Sequence, residues 1–97
     1  MLCLQASSTD GRRWSTPTPT TAHAVWPQLL VLSNGVLVLA AGRPGIGFWT
    51  SAAGDGSDWV HHDVIAEHNK RVPAAAQFGN ESGTTAYTGI AEVSPHR

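Results

Sequence analysis

"WPQLLVLSNGVLVLAAG", residues 26–42, decides the fold. Two apolar runs, 26–32 and 36–42, flank Ser33-Asn34-Gly35. Asn-Gly between such runs is the strongest short hairpin signal, because both residues tolerate positive φ. Pro27 suits the mouth of the first strand, where a missing N–H costs least. Working outward, Arg43-Pro44-Gly45 predicts a second turn and "IGFWTS" (46–51) a third strand. "AAGDGSD" (52–58) is a Gly/Asp turn, and "WVHHDVI" (59–65) predicts a fourth strand. The chain therefore reads as all-β, with one four-stranded antiparallel meander over residues 25–65.

Composition agrees. The 97 residues make one small domain at most, and a compact domain of that size buries roughly two-thirds of its unfolded surface. Charged residues are 13% against 41% hydrophobic, with ten Gly and six Pro, a strand-and-turn composition. A formal net charge of −1 gives no electrostatic case for nucleic acid or an anionic membrane. Cys3 is the single cysteine, so neither an internal disulfide nor a cysteine metal site is expected. The first 14 residues lack the basic and apolar segments of a signal peptide, and no run approaches a membrane span. The sequence reads as a soluble chain whose localisation stays open, since the parent protein could be secreted.

Two internal repeats organise the chain further. "DGRRW" (10–14) and "DGSDW" (55–59) share Asp-Gly-x-x-Trp at a spacing of 45 residues. Each sets a turn-forming pair just before a tryptophan that can open a buried strand. "VWPQLLVLSNG" (25–35) and "AYTGIAEVSPH" (86–96) align without gaps, Trp26 on Tyr87 and Leu32 on Val93. These repeats favour a propeller blade over a generic meander. Residues 1–24 then close a preceding blade, 25–65 form one whole blade, 66–84 a long loop, and 85–97 the first strand of the next. One whole blade with two partial ones cannot close a ring, so the sequence reads as a fragment.

The paired turns resemble Asp-boxes, the repeated motif of the bacterial neuraminidase (sialidase) repeat family. "GRPGIGFWTS" and "GTTAYTGIAEV" resemble the later blades of sialidase-type propellers, and the likeness covers most of residues 7–95. The usual box, Ser-x-Asp-x-Gly-x-Thr-Trp, sets Asp five positions before Trp; here Asp10 and Asp55 stand four before, without the Thr. The resemblance implies a six-bladed propeller that hydrolyses terminal sialic acids with retention, using three arginines, a Tyr nucleophile paired with Glu, and an Asp acid/base. The chemistry is coherent. Sialic acid carries a carboxylate on its anomeric carbon, which repels an Asp or Glu nucleophile, whereas an activated phenol avoids the clash.

The family nucleophile sits in an Ala/Gly-Tyr-Ser/Thr motif, which "AYTG" matches with Tyr87. The same residue also reads as a strand-opening aromatic with its phenol at the surface. Arg43 is the candidate carboxylate-binding arginine, since a guanidinium fork fits a carboxylate bidentately; otherwise it is a solvated turn residue. Glu81, in "GNESG", is a candidate base beside a plainer role as a solvated loop carboxylate.

Other patterns carry less. "HHDVIAEH" (61–68) invites a metal reading, but on a strand His61 and His62 face opposite ways, and the spacing misses the zinc-protease template. No metal or cofactor is expected, and the glycine-rich stretches lack phosphate-loop spacing. Asn80-Glu81-Ser82 is a formal glycosylation acceptor. Trp14, Trp26, Trp49 and Trp59 read as core or inter-blade packing. The expected partner is a sialylated glycan or another carbohydrate, together with the remaining blades. Two further readings stand beside the enzyme: a non-catalytic Asp-box propeller that binds glycans or a protein, and an inactive truncated product.

Overall fold

The computed structural model describes residues 2–23, 25–42, 45–78 and 88–95. The fold is mainly antiparallel sheet with little helix. Strands β1 (Leu2–Gln5) and β2 (Thr18–His23) pair as a two-stranded sheet. Strands β3 (Val25–Val31), β4 (Leu37–Gly42), β5 (Ile46–Ser51) and β6 (Val60–Asp63) form a four-stranded meander in sequence order. The four strands expected from the sequence are thus present and adjacent. The first sheet, over residues expected to end a preceding unit, was not foreseen as a hairpin of its own.

Register explains the layers. Leu29, Leu39, Trp49 and His61 lie side by side across the meander and share one face. The opposite face carries Leu30, Val38 and Thr50, then Ala40, Phe48 and His62 one pleat along. On the first face Leu39, Ala41 and Trp49 are buried, and Cys3 of β1 and Trp59 pack against them. Burying a side chain such as Leu39 contributes about 1.5–3 kcal/mol. The two sheets are therefore layers over one small core. Coverage stops at the edge strand, where Leu29 and Val31 remain exposed.

The β3–β4 turn differs in type from the two-residue loop that Asn-Gly suggests. Only Gly35 takes positive φ (89°). Its N–H donates to Leu32 O (2.9 Å) while Leu32 N donates to Val36 O (2.8 Å), a type I turn followed by a left-handed glycine. The Asn34 side chain accepts from Val36 N at 3.1 Å, which holds Asn34 in the right-handed turn and leaves the reversal to glycine.

After β6 the structure corrects two expectations. The fourth strand ends at Asp63 rather than 65, and residues 64–69 form helix α1 (Val64–Asn69) instead of strand and loop. Asp63 caps it, accepting from Ala66 N at 3.0 Å, and Ile65 is its one buried residue. Glu67 pairs with Lys70 (3.4 Å) and Arg71 (3.1 Å) on the solvent side, where such pairs contribute little. A short 3-10 turn (Ala74–Ala76) follows, tied back by Asn69, whose side chain bonds both Phe78 N and Phe78 O. The expected strand over 85–97 is not formed in its described part, 88–95, which pairs with no other segment as a ladder. Glu92 instead holds this segment on the β3–β4 turn, accepting from Ser33 N (3.1 Å) and Ser33 Oγ (2.8 Å). Among the described residues no helix is long and apolar enough to cross a membrane.

Two glycines with the same backbone conformation isolate a tertiary contact. Gly11 (φ 77°) has open space where a Cβ would lie, whereas at Gly54 (φ 76°) that atom would come 2.5 Å from Gly35 O. Gly11→Ala should cost about 1–2 kcal/mol for its left-handed backbone alone. Gly54→Ala adds a backbone clash between the β3–β4 and β5–β6 turns and should cost more. In thermal melts, roughly 4–8 °C per kcal/mol separates the two. Equal midpoints would show that the two turns do not meet.

Candidate functional site

The two Asp-Gly-x-x-Trp segments fold alike. Each closes an antiparallel hairpin, β1 with β2 and β5 with β6. In the first, Asp10 Oδ1 accepts from Arg12 N at 2.8 Å, and Ser8 Oγ accepts from Gly11 N at 2.8 Å. In the second, Asp55 Oδ1 accepts from Ser57 N at 2.9 Å, and Ser51 Oγ accepts from Gly56 N at 3.1 Å. Gly11 and Gly56 take φ of 77° and 75°. A side-chain oxygen ahead of the glycine, an aspartate bonding its own backbone and a left-handed glycine thus recur together. Ser51 is fully buried and its hydroxyl is satisfied on both sides, since it also donates to Asp58 Oδ1 (2.5 Å).

The tryptophans that end the two turns differ in setting. Trp59 is half-buried, and its Nε1 donates to Gln5 Oε1 at 2.9 Å. Gln5 Nε2 returns a bond to Gly56 O at 3.1 Å, so one carboxamide clamps the second turn to the first sheet. Trp14 is 63% exposed and donates to Gly11 O within its own turn. Trp49 lies in the core as expected, but Trp14 and Trp26 do not. Trp26 is exposed, at φ 55° beside the β3 bulge.

The second face of the meander holds two recesses. A cleft of about 640 Å³ runs between Phe48 and His62 on the sheet and Val64, Glu67 and Arg71 beside the helix. A second, about 430 Å³, lies between Phe48 and Thr50 and residues Ile90–Glu92. Phe48 lines both. The His62 ring stacks on Phe48 at 4.6 Å, and its Nε2 meets Thr50 Oγ1 at 3.0 Å. A hydroxyl against an imidazole is half of a nucleophile–base pair. Among the described residues no carboxylate orients the imidazole from its other nitrogen, so the contact fits packing rather than a triad. His61 stacks on Trp49 from the opposite face (4.5 Å) and leaves no room for a Cβ on Gly47. The adjacent histidines therefore diverge, and among the described residues no three His, Cys, Asp or Glu come together as metal ligands.

Three carboxylates are held below their ordinary values. Asp10 is lowered chiefly by the backbone N–H groups of Arg12 and Arg13, Asp55 by the Ser57 hydroxyl and then its N–H, and Glu67 by the bond from Arg71. All three are solvent-facing, which suits turn and helix stabilisation rather than acid catalysis.

Tyr87, Glu81 and Arg43, the residues that sequence reasoning placed in a sialic-acid site, lie outside the described residues. Nothing in the geometry above joins or separates them. Sequence reasoning missed Gln5, Thr50 and Glu92. The 45-residue spacing could have found the first two, because Gln5 and Thr50 occupy the same place ahead of their turns. Compared with known proteins, the chain matches no family model, no curated sequence and no solved structure.

Depressed carboxylates make the turns acid-sensitive. A folded-state value below the ordinary 3.8 stabilises the turn above that pH and loses the contribution as pH falls through the folded value. The amide signals of Arg12 and Ser57 should therefore titrate below pH 3.8. In Asp55→Asn the Ser57 step should vanish while the Arg12 step stays. Persistence of the Ser57 transition would assign it to global acid unfolding.

Proposed function

We propose that this chain is part of a sialidase-type β-propeller and serves an exo-α-sialidase-like glycoside hydrolase that removes terminal sialic acids from glycoconjugates with retention. The observation behind the reading is the matched pair of Asp-Gly-x-x-Trp turns, each closing a β-hairpin, 45 residues apart. A repeat of that length, with four antiparallel strands between box positions, fits consecutive blades.

In this reading Tyr87 is the nucleophile and Glu81 the candidate base that takes the phenol proton. The phenol oxygen bonds to the anomeric carbon as the aglycone leaves, its oxygen protonated by an Asp contributed by other blades. Water then releases the sugar along the reverse course. Arg43 binds the sugar carboxylate through its guanidinium fork. The exposed indole of Trp14 favours a second reading, a non-catalytic propeller of the same turn type that binds glycans or a protein.

The test uses a polypeptide that carries the remaining blades. Tyr87→Phe deletes one oxygen and almost no packing surface, so it should reduce sialoside hydrolysis by about 10²-fold or more with an unchanged melt. Arg43→Lys keeps the charge but loses the fork, and should raise KM more than it lowers kcat. The 97-residue chain alone should show no turnover. Near-wild-type cleavage by Tyr87→Phe would sink the enzyme reading; glycan binding without cleavage by the unmutated protein would establish the second.

A further inference from the structure

Leu29-Leu30-Val31-Leu32 is an unbroken apolar run at the end of β3, the pattern of a strand covered on both faces. The structure covers one. Leu30 is half-buried on the second face, whereas Leu29 and Val31, on the first, are 67% and 64% exposed. The change along the first face is abrupt. Leu29 lies beside Leu39, and Leu39 beside Trp49, yet those two are 4% and 6% exposed. In the next row Val31 lies beside half-buried Leu37 and fully buried Ser51. The first sheet, with Cys3 against Leu39 and Trp49, thus covers β5 and β4 and stops short of β3.

It stops at an edge that points toward the gap. Pro19 and Thr20 of β2 line a recess with Ser57, Asp58 and Trp59, so β2 lies on the β6 side of β1. Pro19 has no N–H, so Leu4 and Pro19 form a non-hydrogen-bonded pair, and the Leu4 N–H and C=O turn away from β2, toward β3. Among the described residues no strand runs along that edge. Leu2–Gln5 corresponds, one repeat of 45 residues on, to residues 47–50 of β5. Strand β5 has β4 on one edge and β6 on the other; β1 has β2 alone among the described strands. Neighbouring strands lie about 4.8 Å apart, so two strands added to β1 reach across β3. Two is also the number that precede β5 in the meander.

We infer that the Leu29–Val31 face seats a β-hairpin of the β3–β4 type, supplied by a preceding repeat unit, which adds to the Leu4 edge of β1 and extends the first sheet over β3. The inference rests on the repeat in the proposed reading, not on its hydrolytic chemistry. Main-chain bonds to Leu4 set the register of the added strand. The repeat also gives the hairpin its chemistry. Cys3 corresponds to Phe48, which shares a face with Leu30, Val38 and Ala40. The equivalent apolar positions of the added hairpin continue the Cys3 face and meet Leu29 and Val31.

The chain's own hairpin serves as the probe. Residue 46 corresponds to residue 1, so residues 25–45 placed directly ahead of the whole chain keep the repeat in step. The extended chain should melt about 5 °C or more above the 97-residue chain, and hydrogen exchange at the Leu4 amide should slow. Leu29→Lys with Val31→Lys, made only within the original 97 residues, should leave the melt of the unextended chain unchanged, because both side chains are exposed there. The same pair should abolish the gain in the extended chain. A gain that survives the two substitutions overturns the inference, as does an extended chain with neither gain nor Leu4 protection. Self-association of the unextended chain that the two substitutions abolish would assign the face to a second copy and overturn it as well. None of these readouts involves hydrolysis. Full cleavage by Tyr87→Phe removes the enzyme reading and leaves the hairpin standing, and a failed extension leaves the Tyr87→Phe result standing.

Discussion

The Gln5 carboxamide is the contact on which the described structure depends. It accepts from the Trp59 indole and donates to Gly56 O, so both of its polar ends are used on one turn. Neither sheet is self-sufficient without that joint. A two-stranded hairpin is marginal in water, and the apolar cluster that the meander buries on this face is small, Leu39, Ala41 and Trp49. Clamping the hairpin across Trp49 covers the largest apolar side chain of the chain's core. Because the clamp bonds backbone at Gly56, it also fixes the register between layers, which apolar contact alone would leave free to slide. Ser51 and Asp58 hold the same turn from below, so the carbonyl that Gln5 reads is itself rigidly placed.

The strand layout was legible because the signals for it are local. Apolar runs, Asn34-Gly35 and the Gly-rich turn at 52–58 each act within a few residues, and all four meander strands appear where those signals put them. The helix at Val64–Asn69 was not legible, because "VIAEHN" follows a strand with no break in apolar content. What stops the strand is Asp63, whose carboxylate accepts from Ala66 N. That signature, an aspartate three residues ahead of a free N–H, looks like ordinary strand polarity until the backbone turns. The β1–β2 hairpin was missed for a different reason. Its strands carry weak patterning, with Pro19 inside β2, and its pairing is broken by a bulge between Leu2 and Leu4. Only its turn carried a signal.

The candidate site divides along the same line. Tyr87, Arg43 and Glu81 were reached by motif chemistry, which concerns residue type and order and carries no distances. Gln5 and Thr50 are placed by distances and carry no motif. Apart from its place in the 45-residue repeat, a glutamine in a four-residue strand reads like any exposed polar residue. Its role follows from a partner 51 positions away.

The two Asp-Gly-x-x-Trp turns differ by one position from the Asp-box they resemble, and their geometry is complete without it. With aspartate four positions before tryptophan instead of five, each turn still closes through serine, aspartate and a left-handed glycine. The turn is therefore a local object, because the bonds from its serine and aspartate to the turn's backbone N–H groups each span five positions or fewer. The burial of its tryptophan is not local. Trp14 and Trp59 end near-identical turns, yet one is exposed and the other is half-buried and hydrogen-bonded to a neighbouring sheet. The turn aims the indole outward from the hairpin, and what lies beyond decides whether it becomes core. Each turn thus forms by itself, whereas Trp59 depends on Gln5 of the preceding sheet for its burial and its hydrogen bond.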